Sequence, residues 1–275
     1  MKDARSNEAV AWAAGFFEGD GTFSAAYGYP MMAVAGTDPK PLAAFAAAVG
    51  TGHVAGPYDR RDPRRWTKKP MYVVQIYGEA ISTVAQLWPF IGCGKREQIR
   101  STLERLHSEG VLNVSGELSV DRWQRVSLAW AAGFFDAEGC FSSTARVGIC
   151  VSITQSDREP LERFRTAVGI GKIYGPYQAN INDGYVRKPH YFFRAHGNER
   201  VQAILAMLWP WLGATKRQQA LDRLVWTTTC RNGHPKKPGH TGCGECTKAY
   251  WVARREARLH NDVREQAVPY LPDAA

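Results

Sequence analysis

The sequence predicts an α+β protein made of two similar repeats, each ordered αββαββα, followed by a small C-terminal tail of a different kind. Two observations predict this fold class. Four stretches of the first half recur in the same order about 120 residues later. Helix-type and strand-type patterns also follow one another in the same order within each copy. We expect the first repeat at residues 7–107, a linker at 108–123, the second repeat at 124–227 and the tail at 230–260.

The recurring stretches align with little drift in their spacing, as short loop insertions would produce. The pairs are "AWAAGFFEGDGTFS" (11–24) with "AWAAGFFDAEGCFS" (129–142), "FAAAVGTGHVAGPY" (45–58) with "FRTAVGIGKIYGPY" (164–177), "KKPMY" (68–72) with "RKPHY" (187–191), and "LWPFIGCGKREQ" (87–98) with "LWPWLGATKRQQ" (208–219). The segment between the copies contains Gly, Ser and Asn, as a linker would.

Each repeat begins with an apolar helix that glycine closes, predicted at residues 7–17 and 127–135. Strand-type alternation follows near residues 22–36 and 141–155. The stretches "DPKPLAAFAAAVG" and "DREPLERFRTAVG" begin with an Asp cap and end at Gly, so they are predicted helices.

The second half of each repeat reads as two strands and a helical ending. The predicted strands are residues 53–58 and 71–77 in the first repeat, and 172–177 and 190–196 in the second. Basic hairpin loops join the strands of each pair. Two helices close each repeat, one more than the αββαββα order itself requires.

Composition and charge exclude some classes of function and favour another. The apolar fraction of 44% is that of an ordinary globular protein. The sequence contains no run of about 18 apolar residues, so no membrane span is predicted. The N-terminus lacks the apolar stretch of a signal peptide. We therefore expect a cytoplasmic protein without a membrane partner. Lys and Arg number 35 against 26 Asp and Glu, a net charge of +9. This charge favours a polyanion partner, above all nucleic acid, although it is also explained by solubility alone.

The first helix of each repeat places small residues four apart and ends in carboxylates. The small residues are Ala11, Gly15 and Gly19, then Ala129, Gly133 and Ala137. Such spacing lets two helix backbones approach closely, so we expect the two helices to pack on each other. Their ends would then gather four acidic side chains, Glu18, Asp20, Asp136 and Glu138.

Gathered carboxylates repel one another unless they are protonated or share a cation. Oxygen ligands without a nearby His suit Mg²⁺, and a basic protein with acids around Mg²⁺ suggests phosphodiester chemistry. The alternative is a solvated helix end followed by a Gly turn, which becomes less attractive because the pattern occurs twice.

The stretches "AAGFFEGDG" and "AAGFFDAEG" resemble the motif that names the LAGLIDADG homing endonucleases. Both copies have Ala where the name has its first Leu. The resemblance covers residues 9–226, and two motifs in one chain resemble the single-chain, pseudo-symmetric branch of that family. It implies helices packed at the interface between repeats, antiparallel sheets forming a DNA-binding saddle, and a monomer. It also implies Mg²⁺-dependent double-strand breaks at a long, pseudo-palindromic DNA site.

The resemblance also implies roles for particular residues. The last acid of each motif, Asp20 and Glu138, would hold the catalytic metal. The lysine after each "LWP" segment, Lys95 and Lys216, would belong to the solvent network around the cleavage centre, as would Gln155 in "SITQSD". The alternative for the two lysines is that they are solvent-exposed residues in the first turn of the final helices, without a catalytic role.

The first repeat departs from this pattern at one position. Gly36 stands where Gln155 would align, so the two half-sites are not expected to be chemically equal. The earlier acids, Glu18 and Asp136, would be less directly involved.

The resemblance places a curved antiparallel sheet from each repeat in the DNA major groove. Candidate DNA-contacting residues lie on the predicted strands and hairpin loops: Ser24, Arg60, Arg61, Arg64, Lys68, Gln75, Arg146, Lys172, Arg187 and Arg194. A solvated charged face is the alternative for each of them.

The tail carries the spacing C-x3-H-x8-C-x2-C at Cys230, His234, Cys243 and Cys246. Such a set predicts a structural Zn²⁺ site that folds a segment too short to have its own core, and His240 is a rival fourth ligand. The tail is similar to small zinc knuckles found beside some nucleases. Reduced cysteines on a disordered tail are the alternative. A basic helix is predicted near residues 247–260.

Two other functions stay open. A maturase of the same fold would bind intron RNA, and a DNA-binding regulator would keep the fold without cleaving. Such regulators typically lose the acids and carry a helix-turn-helix, whereas both acids are present here and the tail reads as a zinc site. Residue usage suggests a high-GC bacterium or its phage as the source.

Overall fold

The computed structural model describes residues 7–59, 69–109, 127–144, 148–178, 188–224, 232–235 and 243–266. Within these residues, no helix is both long and apolar enough to cross a membrane. The linker between the repeats falls almost entirely outside the described residues, so the domain boundaries stay a prediction.

The first repeat has the predicted order of elements. It contains α1 (Asn7–Asp20), β1 (Gly21–Ala26), β2 (Tyr29–Gly36), α2 (Pro39–Val49), β3 (Val54–Tyr58), β4 (Met71–Ile76), α3 (Ala80–Leu87), a 3-10 turn (Trp88–Phe90) and α4 (Cys93–Ser108).

The second repeat has the same order. It contains α5 (Leu128–Glu138), β5 (Gly139–Thr144), β6 (Gly148–Gln155), α6 (Glu159–Val168), β7 (Lys172–Tyr177), β8 (His190–His196), α7 (Asn198–Leu208) and α8 (Ala214–Leu224), and the tail contributes α9 (Gly244–Gln266). The α+β class and the two-repeat architecture predicted from the sequence are confirmed.

Each repeat forms one four-stranded antiparallel sheet, with the orders β1-β2-β4-β3 and β5-β6-β8-β7. Residues alternate between the two faces of a strand, so one face of each sheet is apolar and the other polar. In the first sheet Phe23, Val34 and Val74 are buried against the helices, while Gln75 is exposed. The second sheet repeats this division, with Phe193 buried and Arg194 exposed.

Helices α1 and α5 lie at the centre of the molecule in direct backbone contact. A Cβ atom added at Gly15 would lie 2.0 Å from the carbonyl oxygen of Trp130, and one added at Gly133 would lie 1.9 Å from that of Trp12. No side chain fits at either crossing point. The close approach predicted from the small-residue spacing is therefore confirmed, and it fixes how the ends of the two helices meet.

The two central helices extend farther than the sequence predicted. We expected helix ends at residues 17 and 135, with the acids on a glycine turn, but α1 continues to Asp20 and α5 to Glu138. Only glycine fits at position 19 of α1, because an added Cβ would lie 2.6 Å from the Ala137 side chain of α5. The packing of the two helices overrides the weak helix propensity of glycine, and the acids consequently occupy the last helical turns.

Aspartate side chains bind the start of the helix that follows β2 and β6. Asp38 accepts a hydrogen bond from the Lys40 amide at 3.0 Å, and Asp157 accepts one from the Glu159 amide at 3.1 Å. Gly50 and Gly169 end these helices in the left-handed conformation. The predicted Asp cap of α2 is confirmed, whereas the cap residue of α6 is Arg158 and Asp157 binds the Glu159 amide from one residue farther upstream.

Candidate active site between the two repeats

Asp20 and Glu138 are the last residues of α1 and α5, and each is followed at once by the first strand of its sheet. The two carboxylates lie close enough for the charge of Glu138 to act on Asp20. A Cβ added at Gly19 would lie 2.8 Å from Cγ of Glu138. Burial, and next the charge of Glu138, raise the pKa of Asp20 to about 7. Burial likewise raises the pKa of Glu138. Two buried carboxylates whose charges interact tend to share a proton or a cation.

Lys95 and Lys216 both lie close enough to this carboxylate pair to interact with it electrostatically. Lys95 Nζ donates to the Gly21 carbonyl at 2.7 Å, and Lys216 Nζ donates to the Gly139 carbonyl. Each accepting carbonyl belongs to the residue directly after the acid. Burial lowers the pKa of both lysines, and the nearby carboxylates oppose this effect. The sequence-predicted lysines are thus brought to the pair in matching positions.

Gln155 contacts only one of the two carboxylates. Its side-chain amide donates to Glu138 Oε1 at 2.9 Å. In the first repeat Gly36 takes the equivalent place, because Gly36 pairs with Tyr72 just as Gln155 pairs with Tyr191. The chemical inequality expected from the sequence is therefore present in the arrangement of side chains.

The other two acids do not join this pair, which corrects the expectation that all four gather together. Glu18 accepts a hydrogen bond from the Gly92 amide at 2.7 Å, and Asp136 accepts one from the Gly213 amide at 2.8 Å. Burial raises the pKa of Asp136 to about 6 and also raises that of Glu18. Because these carboxylates bind the turns that precede α4 and α8, they position the helices that carry the two lysines.

Two side chains that sequence reasoning did not single out hold these acids across the repeats. Trp12 of the first repeat donates its indole N–H to Asp136 of the second at 3.0 Å. Arg163 of the second repeat lies 3.7 Å from Glu18 of the first, and its guanidinium stacks 4.2 Å from the Trp130 ring. Arg163 has no counterpart in the first repeat, where Ala44 aligns. Because α6 also carries Glu159, Glu162 and Arg165, no local pattern singled Arg163 out from its charged neighbours.

The aspartates that bind α2 and α6 also reach the opposite repeat. Asp38 accepts a hydrogen bond from the Thr215 hydroxyl at the start of α8. A Cβ added at Gly94, at the start of α4, would lie 2.5 Å from Asp157. Each lysine-bearing helix therefore begins against an aspartate from the other repeat, and the helix dipole favours that placement.

The outer faces of the sheets carry the described DNA-contact candidates. Lys172 and Arg194 are exposed and lie directly opposite each other on β7 and β8. In the first sheet Gln75 is exposed and Ser24 is partly exposed. Like charges directly opposite each other are unfavourable unless an anion lies between them. In the aligned first repeat His53 takes the place of Lys172 and Gln75 that of Arg194, so the Lys–Arg pair belongs to the second sheet.

Several predicted residues lie outside the part of the chain that the structure describes. These are Arg60, Arg61, Arg64, Lys68, Arg146, Arg187, Cys230 and His240. Their assignments stay predictions. In the tail, His234, Cys243 and Cys246 are described, and their ligand atoms lie within 4.8 Å of one another.

The donor set at the centre fits a hard divalent cation. Asp20 and Glu138 offer carboxylate oxygens. Burial, and next the charge of Glu138, raise the pKa of Asp20, and a bound cation would offset both effects. Among the described residues, these carboxylates belong to no group of three or more metal-ligating side chains. Further oxygens would have to come from water or a bound phosphate, as is usual for Mg²⁺.

Comparison with known proteins gives one family match and several structural matches. The family model described as a LAGLIDADG-like domain matches residues 125–174. No curated protein sequence matches the chain significantly. The LAGLIDADG meganuclease I-AabMI bound to uncleaved DNA is similar with a TM-score of 0.50 and 16% identity, over 76% of this chain and 87% of that one. This likeness shows the fold.

Two further structures match at lower similarity. The LAGLIDADG homing endonuclease I-GzeII in complex with its DNA target gives a TM-score of 0.48 and 14% identity, over 78% of this chain and 87% of that one. I-SmaMI bound to an uncleaved DNA target with calcium ions gives 0.46 and 16%, over 77% and 89%.

Proposed function

Because the chain carries a LAGLIDADG-like domain within the two-repeat fold of the LAGLIDADG meganucleases, we propose that it is a site-specific DNA endonuclease. It would make Mg²⁺-dependent double-strand breaks at a long, pseudo-palindromic site, acting as a monomer. The observation that carries the proposal is the pairing of Asp20 with Glu138, one acid from each repeat, near Lys95 and Lys216.

The arrangement suits two cuts rather than one. Each repeat contributes one acid at the end of its central helix and one lysine bound to the carbonyl of the next residue. The chemical groups needed at a phosphodiester therefore occur twice, related by the pseudo-symmetry of the chain. Two antiparallel DNA strands present their phosphates with the same kind of symmetry.

Asp20 and Glu138 would hold Mg²⁺ through their carboxylate oxygens. A divalent cation there would stabilise negative charge on the attacking and leaving oxygens of the phosphodiester. The chain's own contribution is positional. The contact between α1 and α5 fixes the spacing of the two acids, and the turns bound by Glu18 and Asp136 fix the lysines. The lysine ammonium groups would attract a phosphate into a site that the acids alone would repel.

The two sheets would carry the DNA on either side of this centre. Exposed Lys172 and Arg194 lie on the polar face of the second sheet, where a phosphate or a base edge would offset their mutual repulsion. Two sheets with different polar faces would recognise half-sites of different sequence, so the target would be an imperfect palindrome.

The test is to incubate the full chain with a library of randomised DNA duplexes in Mg²⁺ and to sequence the cut ends. The variant Asp20→Asn/Glu138→Gln runs beside it, with Glu104→Gln, an exposed acid of α4, as the matched control. We expect breaks with a fixed stagger at one family of sequences for the wild type and the control, and none for the double variant.

Other outcomes would overturn the proposal in distinct ways. Selective retention of a DNA sequence without cutting would indicate a regulator. Neither cutting nor DNA selection, with binding to intron RNA, would indicate a maturase. Cutting by the double variant would show that Asp20 and Glu138 do not form the cleavage centre.

A further inference from the structure

Three side chains of the tail form a cluster with the chemistry of a structural metal site. His234 lies in the described turn 232–235, Cys243 directly precedes α9, and Cys246 lies in its first turn. His234 Nδ1 lies 3.3 Å from Cys246 Sγ and 3.7 Å from Cys243 Sγ. The two sulfurs are not joined in a disulfide. Two thiols and an imidazole nitrogen therefore converge on one small volume.

The distances match the edges of a tetrahedron around zinc. With a Zn–S length of about 2.3 Å and a Zn–N length of about 2.0–2.1 Å, neighbouring sulfur and nitrogen ligands lie about 3.6 Å apart. The two observed distances bracket this value. A single ring N–H points at one acceptor, whereas an Nδ1 lone pair directed at an ion between the two sulfurs accounts for both short distances.

The start of α9 favours anionic sulfur ligands. The Cys246 amide donates to Cys243 Sγ at 3.5 Å, so this sulfur occupies the place of a helix-capping acceptor. The positive end of the helix dipole lies at the same point. Asn232 donates its side-chain amide to Cys246 Sγ at 3.3 Å, an outer hydrogen bond of the kind that orients metal ligands.

The geometry points to a structural Zn²⁺ site in which His234 Nδ1, Cys243 Sγ and Cys246 Sγ are three ligands, tying the turn 232–235 to the start of α9. Thiolate and imidazole ligands in tetrahedral geometry select zinc over the hard cation that carboxylates prefer. The site is chemically separate from the carboxylate pair of the two repeats, and it stands whether or not the chain cleaves DNA. By holding its first turn, zinc would order α9, whose exposed face carries Tyr250, Trp251 and Val252.

The first experiment measures zinc in the untagged full chain, purified under reducing conditions and dialysed against metal-free buffer. Elemental mass spectrometry should find about one zinc per chain in the wild type. Cys243→Ser and Cys246→Ser should each lose at least about tenfold in zinc retained, because removing a ligand breaks the site. Cys93→Ser, which removes an exposed cysteine of α4, should retain zinc like the wild type.

A second measurement does not depend on the variants. Cobalt added to the zinc-free wild type should give the intense visible bands of tetrahedral cobalt and a near-ultraviolet thiolate band, and zinc should abolish both. Amide exchange in the first turns of α9 should accelerate by at least about tenfold when zinc is removed. A wild-type chain without zinc or the cobalt spectrum, or equal zinc in Cys246→Ser and Cys93→Ser, would overturn the proposal.

Discussion

The side-chain amide of Gln155 donates a hydrogen bond to Glu138 at 2.9 Å, whereas Gly36 occupies the matching strand position in the first repeat. The two acids are therefore held differently, although the backbone around them is nearly symmetric. A hydrogen bond from an outer residue orients a ligand carboxylate and stabilises its charged form. The consequences can be measured on each DNA strand separately.

If each acid serves the cut of one DNA strand, Gln155→Ala should slow the cut that Glu138 serves by about 10-fold to 100-fold, since that is the usual effect of losing an outer hydrogen bond to a metal ligand. The cut that Asp20 serves should change much less. The rates come from a duplex labelled on both strands, which shows nicked and fully cut products over time. Equal slowing of both strands would contradict the assignment of Gln155 to one centre.

Gly36→Gln is the converse experiment. An added Cβ at Gly36 would meet only the Asp38 carbonyl, at 3.9 Å, so the backbone there has room for a Cβ atom. We expect a glutamine there to reach Asp20 and to bring the two strand rates closer together. Gly36→Ala is the matched control, because it adds the Cβ without the amide. A rate change shared by both variants would show that the backbone, and not the hydrogen bond, is responsible.

Gly15→Ala should destabilise the protein by at least about 2 kcal/mol, because its Cβ would lie 2.0 Å from a backbone carbonyl that cannot move independently of α5. Gly78→Ala is the matched control. Nothing lies within 4 Å of its added Cβ, so its effect should be within about 0.5 kcal/mol. Urea unfolding measures both. Equal stability of the two variants would contradict the backbone contact between α1 and α5.

Trp12→Phe and Asp136→Ala should each destabilise the protein, since each removes one partner of the buried hydrogen bond from the indole to the carboxylate across the repeats. Their effects should not add. A double-mutant cycle in urea should give a coupling free energy above about 0.5 kcal/mol, as expected for residues in direct contact. Simple additivity would show that the indole and the carboxylate act independently.

Sequence reasoning predicted most of the fold, because the signals for it are local and occur twice. The paired motifs gave the repeat, and the small residues of α1 and α5 gave their contact. The end of α1 was predicted too early, because Gly19 lowers helix propensity and only packing against Ala137 compensates for it. The carboxylates were correctly placed near the interface, but their division into a central pair and two turn-binding acids was missed.

That division depends on contacts between residues far apart in the chain. Glu18 and Asp20 are two positions apart on α1, yet one binds the Gly92 amide and the other interacts with Glu138. Arg163 and Thr215 each contact an acid of the other repeat. No local pattern indicates which partner a side chain will meet once the repeats associate, so the supporting residues of the site became visible only in three dimensions.

Lys172→Ala and Arg194→Ala test whether the polar face of the second sheet contacts DNA. If both side chains contact phosphates, each variant should bind all sequences more weakly and reduce the slope of log affinity against log salt by about 0.9. If Arg194 contacts a base, its loss should relax the preference at one base pair by about 1–3 kcal/mol. Arg105→Ala, an exposed residue at the end of α4, is the control and should leave the salt slope unchanged.

The pairing of Asp20 with Glu138 as the cleavage centre is tested most directly by single variants on a defined duplex that the wild type cuts. Asp20→Asn and Glu138→Gln, each with Mg²⁺, should lose double-strand cleavage by roughly a thousandfold or more. Glu104→Gln should cut like the wild type, and all three should bind the duplex with similar affinity. Cleavage by Asp20→Asn or Glu138→Gln at the wild-type rate would contradict the account.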